Sequence, residues 1–332
     1  MRSIKVTSNV IAEMCGVSQG TVDRALNNRP GISQKTRERI LETAEKLGYR
    51  PHLLARSLAK GCTMTIGLVV FDLYNRFFAQ LANAIESSAR QQGYIVYLTL
   101  TDKDGDAEKA CIEHLMSRQV DGLILFSVNQ GTEFGEYLKN LKIPLVTLGN
   151  RIQEEFPFIG IDDYRAMKDA ALHIAHKGYE RIIYISPPLA YRKKSNIYAQ
   201  EQRLYGYLDA LKESGKGREP ITIEGRDYLQ KLDSINLKDG GRTAVLCSSD
   251  IYALEVLRHL EARGLSVPED VGLMGFDNID MLRYVKPSLA TVSYPFEELG
   301  VKALECVLNQ MQGNSYITDR LLAHTIVEGS SL

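Results

Sequence analysis

The stretch GVSQGTVDRALNN, residues 16–28, carries the clearest structural pattern in the N-terminal part of the chain. Gly16 ends one helix, Ser18 caps the next, and QGTVDRAL gives that second helix about two turns. Two short helices joined by a three-residue turn are typical of a helix-turn-helix, whose second helix lies in the major groove of DNA. Asp23 is unexpected on such a helix, because its carboxylate would repel phosphates. We interpret Asp23 as tuning the affinity or as pairing with a neighbouring arginine.

Two further helices flank this stretch. The apolar residues before it repeat at helical spacing, which predicts a helix over 8–15 with Thr7 or Ser8 as its cap. Ser33 caps a third predicted helix, which runs through Leu47. The next segment, YRPHLLARSLAKGCT, is too short to be a stable helix in isolation. The sequence therefore predicts a three-helix unit and then a segment that orders only against a partner.

Apolar runs alternate with amphipathic helices from Thr65 onward. Runs such as TIGLVVF, YIVYLTL, DGLILFSV, RIIYIS and VGLMGF are apolar on both faces, and helical stretches such as FFAQLANAIESSARQQG separate them. Strands of this kind belong to parallel sheets that are covered by helices on both faces. Two sets of strands predict an α/β core of two similar subdomains.

The charge of the chain is unevenly distributed. The net charge of the 332 residues is −1, but residues 1–60 carry +6 and the remainder carries −7. A small basic unit beside a larger acidic one suits a polyanionic partner for the first unit. The N-terminus has no signal-peptide pattern and no apolar run reaches membrane-spanning length, so we expect a soluble, cytoplasmic protein.

Motifs of enzymes and cofactor proteins are missing from the sequence. We find no G-x-G-x-x-G after a strand, no P-loop, no H-E-x-x-H and no G-x-S-x-G. The five cysteines are scattered, and His173 and His176, although three apart on one helix, are interpreted as a capping or solvated pair rather than as metal ligands. We expect no cofactor, no metal and no enzymatic activity.

The residues from Val6 to Gly61 resemble in order and spacing the headpiece and hinge of the LacI/GalR family of transcription regulators. The resemblance continues in NRFF (75–78), VDGLIL (120–125), CSSDIYALEVLRHLEARGLSVPEDVGLMGFDNID (247–280) and PSLATVSYPFEELG (287–300). It covers nearly the whole chain.

The resemblance implies three parts: a helix-turn-helix headpiece over 1–50, a hinge helix and linker over 51–63, and a periplasmic-binding-protein-like core of two Rossmann-like lobes over 64–332. The lobes are expected at about 64–162 plus 290–315 and 163–289 plus 316–330. It also implies a homodimer that reads a near-palindromic operator in double-stranded DNA.

The resemblance further implies which residues contact DNA. Gln19, Gly20 and Arg24 match base-reading positions, with Arg24 suited to a bidentate contact to guanine. Positions that match phosphate contacts are Thr7, Asn9, Ser18, Thr21, Asn27, Lys35 and Thr36. Ala55 and Leu58 of the hinge match residues that enter the minor groove, where Leu58 would wedge between base steps. His52 replaces the more usual asparagine of the hinge.

Effector-binding positions are implied on both lobes. Those of the first lobe are Phe71, Asn75 and Phe77, and those of the second lobe are Arg203, Ser249 and Asp277. A guanidinium and a carboxylate beside aromatic rings suit a polyol, because each charged group can bind vicinal hydroxyls while a ring covers the apolar face of a sugar. Asp250 is expected to cap the helix that follows it.

The sequence thus predicts a transcription regulator, a repressor, whose operator affinity is controlled by a sugar or sugar derivative between the core lobes. The basic and aromatic loop after Ser186, with Tyr191, Arg192, Lys193, Lys194 and Tyr198, leaves two effector classes open: a neutral sugar, or a sugar acid or phosphate. A sugar-binding module without a DNA role and an enzyme that uses the interlobe cleft are the competing functions.

Overall fold

The computed structural model describes residues 6–49, 61–186, 195–214, 219–238, 240–315 and 319–332. The expected hinge helix with His52, Ala55 and Leu58, and the loop with Tyr191, Arg192, Lys193 and Lys194, lie outside these residues. The chain divides into two compact units, residues 1–63 and 64–332.

The described part of the first unit contains three helices: α1 (Ser8–Met14), α2 (Gln19–Leu26) and α3 (Gln34–Lys46). Ile11, Val22 and Ile40, one from each helix, are fully buried and form the centre of its core. The hydroxyls of Ser18 and Ser33 accept hydrogen bonds at 3.2 Å from the N–H three residues on, which confirms both as caps.

The cap of α1 differs from the prediction. Thr7 occupies the cap position, but its side chain makes no capping hydrogen bond. The first turn of α1 therefore lacks the side-chain acceptor that the starts of α2 and α3 have.

The first lobe of the second unit is built on a six-stranded sheet in which all neighbours are parallel. Its strands, numbered in chain order, follow the order β11 (Asp319–Leu322), β5 (Phe158–Ile161), β4 (Leu145–Leu148), β3 (Gly122–Leu125), β1 (Thr65–Val70) and β2 (Ile95–Leu100). Its elements are β1 (Thr65–Val70), α4 (Arg76–Gln91), β2 (Ile95–Leu100), α5 (Gly105–Ser117), β3 (Gly122–Leu125), α6 (Gly131–Asn140), β4 (Leu145–Leu148) and β5 (Phe158–Ile161). The central strands β1 and β3 are buried along their length, whereas the edge strand β2 exposes apolar side chains.

The second lobe has a parallel sheet in the order β7-β6-β8-β9. Its elements are α7 (Asp163–His176), β6 (Arg181–Ser186), α8 (Tyr198–Glu213), β7 (Ile221–Glu224), α9 (Tyr228–Asp233), β8 (Thr243–Cys247), α10 (Asp250–Ala262), β9 (Gly272–Met274) and a 3-10 helix (Asp280–Tyr284). The two parallel sheets confirm the predicted two-lobed α/β core.

The last elements pass between the lobes: β10 (Thr291–Ser293), α11 (Phe296–Met311), β11 (Asp319–Leu322) and β12 (Thr325–Val327). β10 and β12 pair antiparallel with each other. β11 pairs with β5, so residues 319–322 complete the sheet of the first lobe and the prediction that placed 316–330 in the second lobe is wrong for this strand. The chain then returns to the second lobe, where Leu273 N–H donates to the carbonyl of Ser331 at 2.8 Å.

Candidate DNA-binding surface and ligand cavity

The helix α2 presents the residues that were predicted to read bases. Gln19, Gly20 and Arg24 are all exposed. The side-chain amide of Gln19 donates to the hydroxyl of Ser8 at 3.1 Å, which ties the start of α2 to α1. The side chain of Arg24 is exposed and makes no ion pair with the described residues, so its guanidinium is available to an external acceptor.

The predicted phosphate contacts lie at the surface of the first unit. Thr7, Asn9, Ser18 and Lys35 are exposed, and Thr21, Asn27 and Thr36 are half-buried. Several of them lie at the N-terminal ends of α2 and α3, where unpaired backbone N–H groups and the helix dipole favour an anion.

Asp23 is paired in the folded headpiece. One carboxylate oxygen is 3.1 Å from a guanidinium nitrogen of Arg29, and the other accepts a hydrogen bond from the amide of Asn27 at 2.7 Å. The interpretation that Asp23 pairs with a neighbouring arginine is thereby confirmed.

A cavity of about 370 Å³ in the second unit brings residues of both lobes together. All six predicted effector-binding residues line it: Phe71, Asn75, Phe77, Arg203, Ser249 and Asp277. Phe71, Ser249 and Asp277 follow the carboxyl ends of β1, β8 and β9, and ligands of parallel α/β sheets bind at this edge.

Arg203 is held in place by three acceptors although it is only 5 % exposed. Its Nε donates to Asp163 at 2.7 Å, and its Nη1 donates to the carbonyl of Ser248 at 2.5 Å and to Asp277 at 3.5 Å. The guanidinium carbon also lies 3.7 Å from the ring centroid of Phe276. No acceptor among the described residues contacts Nη2, so this nitrogen can serve a ligand.

Asp277 is fixed by its backbone and its side chain. Its φ of 116° lies in a region that side-chain-bearing residues rarely adopt, and its N–H donates to the carbonyl of Val292 at 2.9 Å. The hydroxyl of Ser249 donates to its Oδ2 at 3.0 Å. Burial raises the pKa of Asp277 to about 7, because desolvation of the carboxylate outweighs the attraction of Arg203. Burial raises the pKa of Asp163 in the same way.

Asp250 does not cap α10, contrary to the prediction. Ser249 occupies the cap position, and Asp250 is the first residue of the helix. Its carboxylate accepts from the N–H of Ile279 at 2.9 Å and from the hydroxyl of Thr291 at 2.7 Å. Asp250 therefore fastens the segment after β9 and the strand β10 to α10.

Aromatic rings form one wall of the cavity. Phe71, Phe78 and Phe126 lie with ring centroids 5.0 to 5.1 Å apart at tilted or edge-on angles. Phe77 packs edge-on against Tyr294, at 4.9 Å. These contacts hold the rings rigidly as an apolar surface for a ligand.

Several lining residues were missed by the sequence reasoning, chief among them Lys103, Asn150, Asn196 and Arg226. Lys103, Asn150 and Arg226 follow the carboxyl ends of β2, β4 and β7, and this position was the signal that could have found them. Asn196 precedes α8 and had no such signal.

Asn150 and Asn196 join the two lobes. The amide of Asn150 donates to the carbonyl of Asn196 at 2.9 Å, and the amide of Asn196 donates to the carbonyls of Arg151 at 2.9 Å and Asn129 at 3.2 Å. A second connection lies between α4 and the 3-10 helix, where Arg76 Nε is 3.0 Å from Asp280 Oδ1. The lobes are thus linked by directional hydrogen bonds.

Within the described residues, no three His, Cys, Asp or Glu side chains cluster in a way that could hold a metal ion. Nor does any helix there have the length and apolar character needed to cross a membrane. His173 lies 3.3 Å from Glu328 at the surface of the second lobe.

Two family models match the chain. Residues 10–52 match bacterial regulatory proteins of the lacI family, and residues 171–332 match the periplasmic binding protein-like domain. Catabolite control protein A of Priestia megaterium is 33% identical over 315 residues, which cover 93% of each chain. The transcriptional repressor CytR of Escherichia coli K12 is 32% identical over 314 residues, which cover 92% of this chain and 90% of CytR.

Solved structures of the same architecture agree with these matches. A lac repressor dimer bound to operator and the anti-inducer ONPF superimposes with a TM-score of 0.84 at 25% identity and 98% coverage of both chains. A regulator from Alkaliphilus metalliredigens complexed with D-xylulofuranose gives 0.69 at 29% identity, covering 81% of this chain and 98% of that chain. The chain therefore belongs to the lacI family of bacterial regulatory proteins, and it is a DNA-binding transcription regulator with a periplasmic-binding-protein-like core.

Proposed function

We propose that this regulator is a repressor that binds a near-palindromic operator as a homodimer and is controlled by a sugar or sugar derivative in the interlobe cavity. The observation that carries the effector assignment is the convergence of six predicted residues from both lobes on one cavity, with Arg203 and Asp277 held there by buried hydrogen bonds. A regulator of transcription acts on the chromosome, so we place it in the cytoplasm.

The chemistry of the cavity fits a polyol. Arg203 supplies N–H donors and Asp277 supplies acceptor oxygens, so the pair can bind neighbouring hydroxyls of one ring. The phenylalanine rings can cover the apolar face of that ring. Lys103 and Arg226 also line the cavity, which keeps sugar acids and sugar phosphates among the candidate effectors.

In our proposal, a ligand in the cavity between the lobes controls DNA binding by favouring one arrangement of the lobes. A ligand that contacts both lobes favours the lobe arrangement that it fits best. In our proposal this arrangement sets the spacing of the two hinge segments of the dimer, where Ala55 and Leu58 would enter the minor groove. By linkage, an effector that changes operator affinity has its own affinity changed by the operator to the same extent.

A thermal-shift screen of the full chain tests the effector class. Neutral sugars are compared with their phosphates and uronic acids, because a ligand that binds the folded core raises its melting temperature. Hits are then titrated into protein bound to an operator selected from a random DNA library. We expect at least one sugar to raise Tm and to change operator affinity, and an Arg203→Ala variant to lose both responses. A wild-type chain that recovers no preferred DNA sequence would contradict the proposed function.

A further inference from the structure

The end of the recognition helix α2 carries a hydrogen-bonded group formed by Asp23, Asn27 and Arg29. The amide nitrogen of Asn27 donates twice to Asp23, to the carboxylate at 2.7 Å and to the backbone carbonyl at 3.0 Å. The other carboxylate oxygen of Asp23 accepts from Nη1 of Arg29 at 3.1 Å.

These bonds occupy every donor of the Asn27 side chain. A side-chain amide nitrogen carries two hydrogens, and both are directed at Asp23. Phosphate oxygens can only accept hydrogen bonds at neutral pH. In this arrangement Asn27 therefore has no donor left for the phosphate contact that its position implies.

Arg29 has donors to spare at the same place. A guanidinium has five N–H donors, and the bond to Asp23 uses one nitrogen. The side chain of Arg29 is 57% exposed. The bond to Asp23 engages Nη1 and leaves the donors of Nε and Nη2 to face a second anion.

The backbone that carries Arg29 is also fixed. Its N–H donates to the carbonyl of Arg24 at 2.8 Å, and its carbonyl accepts from Nη2 of Arg37 at 2.7 Å. Nη1 of Arg37 in addition donates to the side-chain oxygen of Asn28. The loop after α2 is thus tied both to the recognition helix and to α3.

We propose that Arg29, oriented by Asp23, is a phosphate contact of the headpiece and takes the role that the position of Asn27 implies. The proposal rests on the proposed DNA binding. It also explains how a carboxylate is accommodated beside the DNA backbone, since Arg29 places a cation between Asp23 and a phosphate.

Salt-dependent DNA binding of the full chain tests this contact. The probes are a 30-bp duplex of mixed sequence and the preferred duplex recovered by the wild-type chain from a random library. Arg29→Ala should weaken binding to both duplexes and make the slope of log K against log salt shallower by about 0.9, the value for one neutralised phosphate.

Lys46→Ala is the matched control. It removes the same formal charge from the headpiece, but Lys46 lies at the other end of α3, opposite Glu42 at 3.9 Å. We expect its slope to stay within error of the wild-type slope. Equal slopes for Arg29→Ala and Lys46→Ala would overturn the proposal.

An Asp23→Asn background separates a direct contact from simple charge neutralisation. If Arg29 contacts a phosphate, adding Arg29→Ala to Asp23→Asn still lowers the slope by about 0.9. If Arg29 only neutralises Asp23, the added change has no effect there, and the proposal is wrong. Failure of the wild-type chain to bind either duplex would instead refute the DNA-binding function itself.

Discussion

Arg24 and Lys35 are single residues with different predicted roles in DNA binding. Arg24 is expected to read a base, whereas Lys35 is expected to contact a phosphate of the DNA backbone. Both are exposed. Arg24→Ala should cost about 1 to 3 kcal/mol on the preferred operator and relax the preference at one base pair. Lys35→Ala should weaken binding to all sequences alike and make the salt slope shallower by about one. Competition binding with single-base operator variants measures both effects, and an equal loss on every sequence for the two variants would rule out the reading role of Arg24.

Asp277 makes the stability of the core depend on pH. Its pKa is raised to about 7 in the folded core, above the ordinary value of an aspartate, so the folded state binds more protons between these two values. Ionisation of Asp277 therefore lowers the free energy of unfolding of the core as the pH rises towards 7. Above about pH 8 the contribution of Asp277 to this free energy no longer changes with pH.

Asp277→Asn should abolish this contribution. The difference in Tm between variant and wild type is expected to move in favour of the variant from about pH 5 to about pH 8 and then to level off. Thermal melts of both proteins across this range provide the measurement. A difference that is the same at every pH would mean that Asp277 titrates normally in the folded core.

At the scale of elements, the crossing of α4 and α11 depends on Gly300. A Cβ atom there would lie 2.7 Å from the backbone carbon of Ala84, which cannot move aside without shifting α4. An alanine in place of a mid-helix glycine gains about 1 kcal/mol in helix propensity, but overpacking costs about 1 to 3 kcal/mol. We expect Gly300→Ala to lower the free energy of unfolding of the core.

Gly135, inside α6, is the matched comparison. A Cβ there would meet only the end of the flexible side chain of Gln153, which can turn away. Gly135→Ala should therefore be neutral or stabilising. Urea denaturation of both variants measures their free energies of unfolding. An unchanged value for Gly300→Ala would show that α4 and α11 have room to separate.

The sequence predicted an element best where several local signals agree. α2 was predicted with its observed bounds because a cap, a helical repeat and a turn all agree. The strands β5 and β11 were missed. β11 has the half-polar sequence DRLL and finds its partner far away in the chain. The role of Asn196 could not be predicted either, since only the closed fold brings its amide to carbonyls of the first lobe.

At the scale of the whole molecule, the edge strand β2 exposes Ile95, Tyr97, Leu98 and Leu100, each by 40 to 58 %. An exposed apolar edge of this kind is a site of association between chains. We expect it to take part in the proposed homodimer, so Leu98→Lys should shift the chain from dimer to monomer in light scattering after gel filtration.

The opposite edge of the same sheet offers a control. Leu321 on β11 is 52 % exposed, and Leu321→Lys adds the same charge there. We expect this variant to remain dimeric. A Leu98→Lys chain with the mass of the wild type would exclude β2 from the interface.

The pairing of β11 with β5 has a consequence for the order in which the molecule matures on the ribosome. The first lobe emerges early, but its sheet keeps an open edge at β5 until residues 319–322 have been made. The second lobe likewise waits for Ser331 to pair with β9. A headpiece that folds from the first residues of the nascent chain would thus be able to bind DNA before the sheets of the two lobes are complete. Stalled or shortened chains are then expected to meet the chromosome without being able to respond to an effector.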